Sequence, residues 1–131
     1  MKFLLDTSVL LWSVAERAKL NSRAVRILSL AGSNLYLSAA SVWEISIKYA
    51  IGRLPLHVEP ELFVSEAQRK MGMRPLDIDY LHAVEAGRLP RHHGDPFDRM
   101  LIAQARTERM VLLTADRIFQ SYEVEQEYCG I

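Results

Sequence analysis

The stretch KFLLDTSVLLWSVAER, residues 2–17, decides the predicted fold. Residues 2–5 form a short apolar run that ends at Asp6, and such a run is typical of a buried strand. Residues 8–17 then place apolar side chains at helical spacing, which predicts a helix directly after the strand. The chain therefore begins with the strand–helix alternation that is expected of an α/β fold.

The same alternation continues along the rest of the chain. Further strands are predicted at 35–38, which Asn34 opens, and at 111–114, and the last residues are expected to add one more. Helices are predicted at 21–30, within 38–52, at 59–70, at 79–86 with a stop at Gly87, from about 95 to 105, and at 116–122. These elements predict an α/β layer fold around a mainly parallel central sheet.

Composition sets broad limits on function. The chain has 131 residues, 50% of them hydrophobic and 24% charged, which predicts one globular domain over residues 1–131. Sixteen basic and sixteen acidic residues cancel, so net charge does not point to a nucleic-acid partner. The single Cys129 excludes an intrachain disulfide and fits a reducing compartment. Because no stretch approaches roughly 18 uninterrupted apolar residues, we expect a cytoplasmic chain without a membrane segment.

A second stretch, HHGDPFDRMLIAQA at 92–105, raises a chemical question. On a helix, Asp98 shares a face with the apolar residues Leu101, Ile102 and Ala105. An unpaired carboxylate on a buried face is costly. The sequence therefore predicts a group that compensates the charge of Asp98.

Four acids occupy similar places in the predicted fold. Asp6 follows the first strand, and Glu44 is expected in the first turn of the helix after the second strand. Asp98 follows the His-rich loop at 88–94, and Asp116 follows the strand VLLT. The carboxyl ends of parallel strands meet at one edge of a sheet, where ligands bind. We therefore expect the four carboxylates to gather there.

Each acid also has a purely structural explanation. Ser41 and Glu44 match a capping box, and Glu44 can pair with Lys48 four residues later. Asp95 suits a helix N-cap, and Asp6, Asp98 and Asp116 suit helix starts as well. Four ionised carboxylates at one edge would nevertheless repel one another. A divalent cation removes this conflict, and magnesium or manganese suits an all-oxygen site.

Four segments in this order resemble the PIN-domain nucleases, specifically the VapC-type toxins of toxin–antitoxin pairs. They are FLLDTSVLLW, SAASVWEISIKYAIGRL, HHGDPFDRMLIAQA and VLLTADRIF, and they cover about residues 2–120. The resemblance implies a three-layer PIN-like fold with a mainly parallel sheet between helices. It also implies hydrolysis of RNA with magnesium or manganese, leaving a 5′-phosphate and a 3′-hydroxyl.

The resemblance assigns roles to individual positions. Asp6, Glu44, Asp98 and Asp116 match the family's acidic metal ligands and catalytic residues, while Ser8 and Thr114 match hydroxyls that hold the acids. Asp98 is taken as the ligand and Asp95 as the helix cap. The basic residues near these acids, which we expect to contact the RNA backbone, are Lys48, Arg53, Arg91, Arg99 and Arg117.

The resemblance also implies protein partners. The helices at 8–17, 21–31 and 40–51 hold more apolar residues than one buried face requires. Part of that surface would bind a cognate antitoxin and part would form a homodimer, although a well-packed core explains the same residues. Trp12 and Trp43 are expected in the core or an interface, and His92 and His93 in a solvated loop.

Three other functions remain to be compared with the nuclease. A haloacid-dehalogenase-like phosphatase also places an acid after its first strand, but its second Asp would stand where this chain has Ser8. A non-catalytic PIN-like interaction module would not need the four acids. A metal-free fold would use all four acids only as helix caps.

Overall fold

The computed structural model describes residues 1–30 and 33–131, so residue 31 of the predicted helical surface 21–31 lies outside the described residues. The strands are β1 (Lys2–Leu5), β2 (Asn34–Ser38), β3 (Arg74–Leu76), β4 (Val111–Thr114) and β5 (Gln126–Tyr128). The α-helices are α1 (Thr7–Ala15), α2 (Ser22–Ser29), α3 (Ala39–Ala50), α4 (Pro60–Met71), α5 (Tyr80–Arg88) and α6 (Pro96–Glu108). Short 3₁₀ turns cover Arg17–Lys19 and Arg117–Ser121.

The five strands form one sheet in the order β3-β2-β1-β4-β5, with every pair parallel. β1 lies at the centre and pairs with β2 and β4, so the acid that follows β1 is flanked by the ends of both neighbours. This confirms the predicted parallel sheet. The parallel arrangement also places the carboxyl ends of β1, β2 and β4 at the same edge of the sheet, where the sequence analysis expects the acids to gather.

Both faces of the sheet are covered, which makes three layers. Side chains alternate along a strand, and Leu5 joins a core cluster with α1, α2, α3 and α4 while Leu4 joins a second cluster with α6. Leu113 and Leu112 divide in the same way on β4. Strands buried on both faces are continuous apolar runs, which is why 2–5 and 111–114 were recognisable in the sequence.

Two details of the chain differ from the sequence-based prediction. The helix expected to stop at Gly87 continues to Arg88, and it ends there because Pro90 forces Leu89 into an extended conformation, with φ −61° and ψ 146°. β3 was not predicted, since it has three residues, includes Pro75 and lies at the sheet edge. In the described ranges, no helix is long and apolar enough to cross a membrane.

Candidate metal centre at the carboxyl edge of the sheet

Asp6 is the central acid of the site, and it is 3% exposed. It caps α1, with Oδ1 accepting the Val9 backbone N–H at 2.7 Å, and its Oδ2 accepts the Thr114 hydroxyl at 2.6 Å. No cationic side chain of the described residues pairs with it. The pKa of Asp6 is raised to about 7, chiefly by burial; the hydrogen bonds from Thr114 and Val9 lower it, and the charge of Asp98 adds to the rise.

Glu44 reaches the same edge from α3 and is 5% exposed. The Thr7 hydroxyl donates to its Oε1 at 2.6 Å, and the Lys48 ammonium forms an ion pair with Oε2. The predicted pair with Lys48 is therefore present, and the bond to Glu44 raises the pKa of Lys48. The predicted capping box is wrong, because Ser38 caps the helix by accepting from the Ala40 N–H, which places Glu44 beyond the first turn.

Asp98 enters from the first turn of α6, with a side chain that is 19% exposed. The cap of this helix is Asp95, whose Oδ1 accepts the Asp98 backbone N–H at 3.0 Å. The Asp98 carboxylate instead faces His93, with Nε2 to Oδ2 at 3.1 Å. Burial raises the pKa of Asp98 to about 6, the hydrogen bond from His93 lowers it, and the charges of Asp95 and Glu44 raise it.

The charges of the candidate acids act on one another. The charge of Asp98 acts on the pKa of Asp6, and the charge of Glu44 acts on the pKa of Asp98. Two of the three acids therefore ionise less readily than a solvated aspartate, and Lys48, the neighbouring cation, is already paired with the third. A divalent cation would supply the missing positive charge, so the donor set fits such an ion.

The spacing of the acids also bears on how an ion would be held. In the described part of the chain, one trio of acidic and histidine side chains brings its potential ligand atoms within 4.8 Å of one another, and it is Asp79, His82 and Glu108 rather than the predicted acids. Magnesium usually keeps several waters and takes only one or two carboxylates. A looser arrangement of Asp6, Glu44 and Asp98 is compatible with that preference.

The trio at Asp79, His82 and Glu108 is explained by its hydrogen bonds. Asp79 and His82 form a capping box at the start of α5, in which His82 Nδ1 accepts the Asp79 backbone N–H at 3.0 Å. His82 Nε2 lies 2.8 Å from Glu108 Oε2. Both ring nitrogens of this buried histidine are thus occupied, which accounts for the trio as a structural contact between α5 and α6.

Two of the sequence-assigned residues lie differently from expectation. Asp116 is exposed, and its Oδ1 accepts the Ile118 N–H at 3.0 Å as the cap of the following 3₁₀ turn. Its backbone N–H donates to Thr114 Oγ1 at 3.0 Å, which links it indirectly to Asp6. Ser8 is also exposed, and the hydroxyl that holds an acid of the site is that of the preceding Thr7.

The basic candidates divide into two groups. Arg53, Arg91 and Arg117 are exposed, and Arg117 lies over the ring of Tyr128 at 4.1 Å. Arg99 is 8% exposed, and its guanidinium donates to the carbonyls of Ala86, Leu89 and Pro90 and to the Tyr122 hydroxyl. The expectation that Arg99 contacts RNA is therefore corrected, since its donors are used inside the protein.

Replacing Arg99 by methionine is expected to lower the free energy of unfolding by about 2–3 kcal/mol, because three backbone carbonyls, that of Leu89 in a buried bond, lose a charged donor. Urea denaturation measures the change. Arg91→Ala is the matched control, since Arg91 is exposed and its loss should leave stability within about 0.5 kcal/mol. Equal stability of Arg99→Met and the wild type would contradict the structural role.

The positions of some residues near the site were not predicted from the sequence. His93 was expected in a solvated loop, yet it contacts both Asp98 and the buried Tyr122. Its position five residues before Asp98, in the loop that leads into the helix, gave a usable indication. Trp43 is 59% exposed and touches Phe97 edge to face at 5.2 Å, so it is not a core residue.

Comparison with known proteins bears on the family. The PIN domain family model matches residues 3–125. A segment of 50 residues is 40% identical to ribonuclease VapC16 of Mycobacterium tuberculosis. That segment covers 38% of this chain and 36% of VapC16, so the match spans about a third of the relative's length.

Solved structures resemble the chain over nearly its whole length. The crystal structure of VapBC2 from Rickettsia felis bound to a promoter DNA fragment matches with a TM-score of 0.74 and 14% identity, covering 99% of this chain and 100% of that one. DNA-bound VapBC from Salmonella typhimurium matches with a TM-score of 0.72 and 19% identity, covering 98% of each chain. At these identities the likeness concerns the fold, which agrees with the family match. The chain belongs to the PIN domain family.

Proposed function

We propose that residues 1–131 form a single PIN domain that acts as a metal-dependent endoribonuclease, the toxin of a toxin–antitoxin pair. The observation that best supports this is the Asp6 carboxylate, which is buried without a cationic partner among the described residues and feels the charge of Asp98, which in turn feels that of Glu44. PIN-domain nucleases use divalent metals. The ribonuclease name of the relative that shares a 40% identical segment points to the same activity.

The proposed chemistry is hydrolysis of a phosphodiester bond of RNA. Asp6 and Asp98 would hold Mg²⁺, or Mn²⁺ in its place, with Glu44 and Asp116 as further ligands or orienting groups. The bound ion would lower the pKa of a water and stabilise charge on the phosphate oxygens. Burial raises the pKa of the Cys129 thiol to about 12, so this cysteine is a poor nucleophile at neutral pH.

The chain's own groups would position the substrate and the acids. Thr7 and Thr114 donate to Glu44 and Asp6, which fixes the direction of both carboxylates. The exposed Arg53, Arg91 and Arg117, together with Lys48, would attract the RNA backbone by charge. This division separates residues that orient the acids from residues that bind phosphate.

The proposed partners are an antitoxin and a second copy of the chain. Trp43, Ile47 and Ile51 on and just after α3 are exposed at intervals of four residues, which forms an apolar stripe on one helix face. Such a stripe is expected to be covered by a protein partner. The names of the neighbouring structures describe VapBC complexes, and we propose an antitoxin for this chain by analogy.

The first test is cleavage of a mixed RNA pool, including structured tRNA, by the isolated chain. We expect fragments to accumulate with Mg²⁺ or Mn²⁺, to end in 5′-phosphates and 3′-hydroxyls, and to be absent with EDTA. Gel electrophoresis and end-labelling measure both properties. A folded chain that binds neither metal nor RNA would contradict the nuclease and favour the alternative, a non-catalytic PIN-like interaction module.

A further inference from the structure

A chain of hydrogen bonds leads from the interior of the protein to the Asp98 carboxylate. Arg99 Nη1 lies 3.2 Å from the Tyr122 hydroxyl, which lies 2.8 Å from His93 Nδ1. His93 Nε2 lies 3.1 Å from Asp98 Oδ2. Four side chains from α6, from the loop before it and from the segment before β5 are thus connected in series.

The direction of these bonds follows from the chemistry of the groups. A guanidinium can only donate, so the Tyr122 oxygen accepts from Arg99. An ionised Asp98 can only accept, so His93 Nε2 carries a proton and donates to it. In a neutral imidazole Nδ1 then has no proton, and the Tyr122 hydroxyl must donate to it. All three bonds therefore point from Arg99 toward Asp98.

Arg99, the first member of this series of hydrogen bonds, is held in place by several further bonds. The Arg99 guanidinium also donates to Pro90 O at 2.9 Å and to Ala86 O and Leu89 O at 3.1 Å each. These carbonyls belong to the end of α5 and the loop that contains His93. Arg99 therefore fixes the loop and orients Tyr122 through the same planar group, and Tyr122 is itself 5% exposed.

We propose that His93 is a positioning residue that holds Asp98 Oδ2 through the Arg99–Tyr122–His93 chain and leaves Oδ1 for the metal ion. This inference rests on the proposed function, because it takes Asp98 as a metal ligand. Carboxylate ligands depend on such supporting hydrogen bonds for their orientation, and loss of one typically lowers metal affinity or activity by about 10–100-fold.

The first arm of the test measures Mn²⁺ affinity by calorimetry in the absence of RNA. We expect His93→Ala to weaken Mn²⁺ binding by about 10–100-fold. His93→Gln should recover most of the affinity, since its amide can donate where Nε2 does. His92→Ala is the matched control, because the bond to Asp98 comes from His93 and the His92 ring only packs edge to face on Tyr122 at 4.8 Å, so its loss should leave Mn²⁺ affinity unchanged. Equal affinities of the His93→Ala and wild-type chains would overturn the proposal.

The second arm uses ¹⁵N NMR of the imidazoles in the metal-free protein at pH 8. We expect His93 to carry its proton on Nε2, with Nδ1 unprotonated, and Tyr122→Phe to shift it toward a mixture of tautomers. A proton on Nδ1 in the wild type would overturn the chain of donors. The NMR measurement does not depend on metal. If the wild type bound no Mn²⁺, the nuclease proposal would be contradicted, and the NMR spectrum would still decide the direction of the hydrogen bonds.

Discussion

Asp98→Asn is expected to lower the RNA cleavage rate by on the order of 10³-fold without unfolding the chain. Asparagine has the same shape, its Oδ1 can still accept from His93, and the helix cap at Asp95 is untouched. The negative charge is lost, and an amide NH2 takes the place of the oxygen that would face the ion. A metal ion contributes several kcal/mol to the stabilisation of developing charge, and about 4 kcal/mol corresponds to three powers of ten in rate. Single-turnover cleavage with saturating metal measures the effect.

Asp95→Asn is the matched control for Asp98→Asn. The two aspartates are three residues apart at the start of one helix, but Asp95 serves as the N-cap, a position where asparagine is as effective as aspartate. We expect cleavage by Asp95→Asn to remain within about tenfold of the wild type, since each 1.36 kcal/mol changes the rate tenfold and capping is preserved. If Asp98→Asn cleaved RNA at the wild-type rate and Asp95→Asn were inactive, Asp95 would be the metal ligand and Asp98 would not.

The central sheet could be predicted because its strands are buried on both faces. Residues 3–5 and 111–113 are continuous apolar runs, and a capping aspartate comes soon after each, Asp6 for the first and Asp116 for the second. β3 lacks this property, since Arg74 and Pro75 are exposed and the strand pairs on one side only. Its pairing with β2 is a tertiary contact, and local sequence contains little information about it.

Helix starts were harder to assign than the existence of the helices. Serines lie both just before and within α3, and Ser41 with Glu44 matched a capping box better than Ser38 did. Ser38 caps the helix because β2 ends there, and Ser41 is instead buried next to Thr7. The spacing of a motif did not reveal that the strand runs directly into the helix.

The acids of the site were identifiable, but their supporting groups were only partly so. Asp6 and Asp98 stood out because each ends or enters an apolar element, where a carboxylate is costly. The hydroxyl beside Glu44 comes from Thr7, across the gap between α1 and α3, and sequence distance does not indicate that contact. The same holds for Tyr122, which reaches His93 from a segment 29 residues later.

A second large effect is expected in the pH dependence of stability. The pKa of Asp6 is about 7 in the folded chain and near 3.8 when the carboxyl is solvated. Between these values the folded state binds the proton that the unfolded state has released, so the free energy of unfolding falls as pH rises. Each pKa unit corresponds to about 1.4 kcal/mol, which gives a loss of about 4 kcal/mol from pH 4 to pH 7. Burial of Asp98 acts in the same direction.

Urea denaturation in EDTA at pH 5 and pH 8 measures the part of this loss that falls between them, about 3 kcal/mol, in the wild type and compares it with Asp6→Asn. The asparagine has no charge to bury, so we expect a flatter pH profile and, at pH 8, a chain more stable than the wild type by up to about 4 kcal/mol. Asp116→Asn is the control, since Asp116 is an exposed cap and its replacement should keep the wild-type slope. A wild-type chain whose stability is constant or rises from pH 5 to pH 8 would contradict the cost assigned to Asp6.

Adding Mg²⁺ at pH 8 should reverse the loss in the wild type but not in Asp6→Asn. An ion that binds only the folded chain stabilises it by about 2.7 kcal/mol at 100 times its dissociation constant. In the wild type the ion would compensate the buried carboxylate that EDTA leaves without a cation. The Asp6→Asn chain has no such carboxylate. We therefore expect it to be more stable than the wild type without metal, and to be inactive when Mg²⁺ is present. Equal stabilisation of both chains by Mg²⁺ would mean that the ion binds elsewhere.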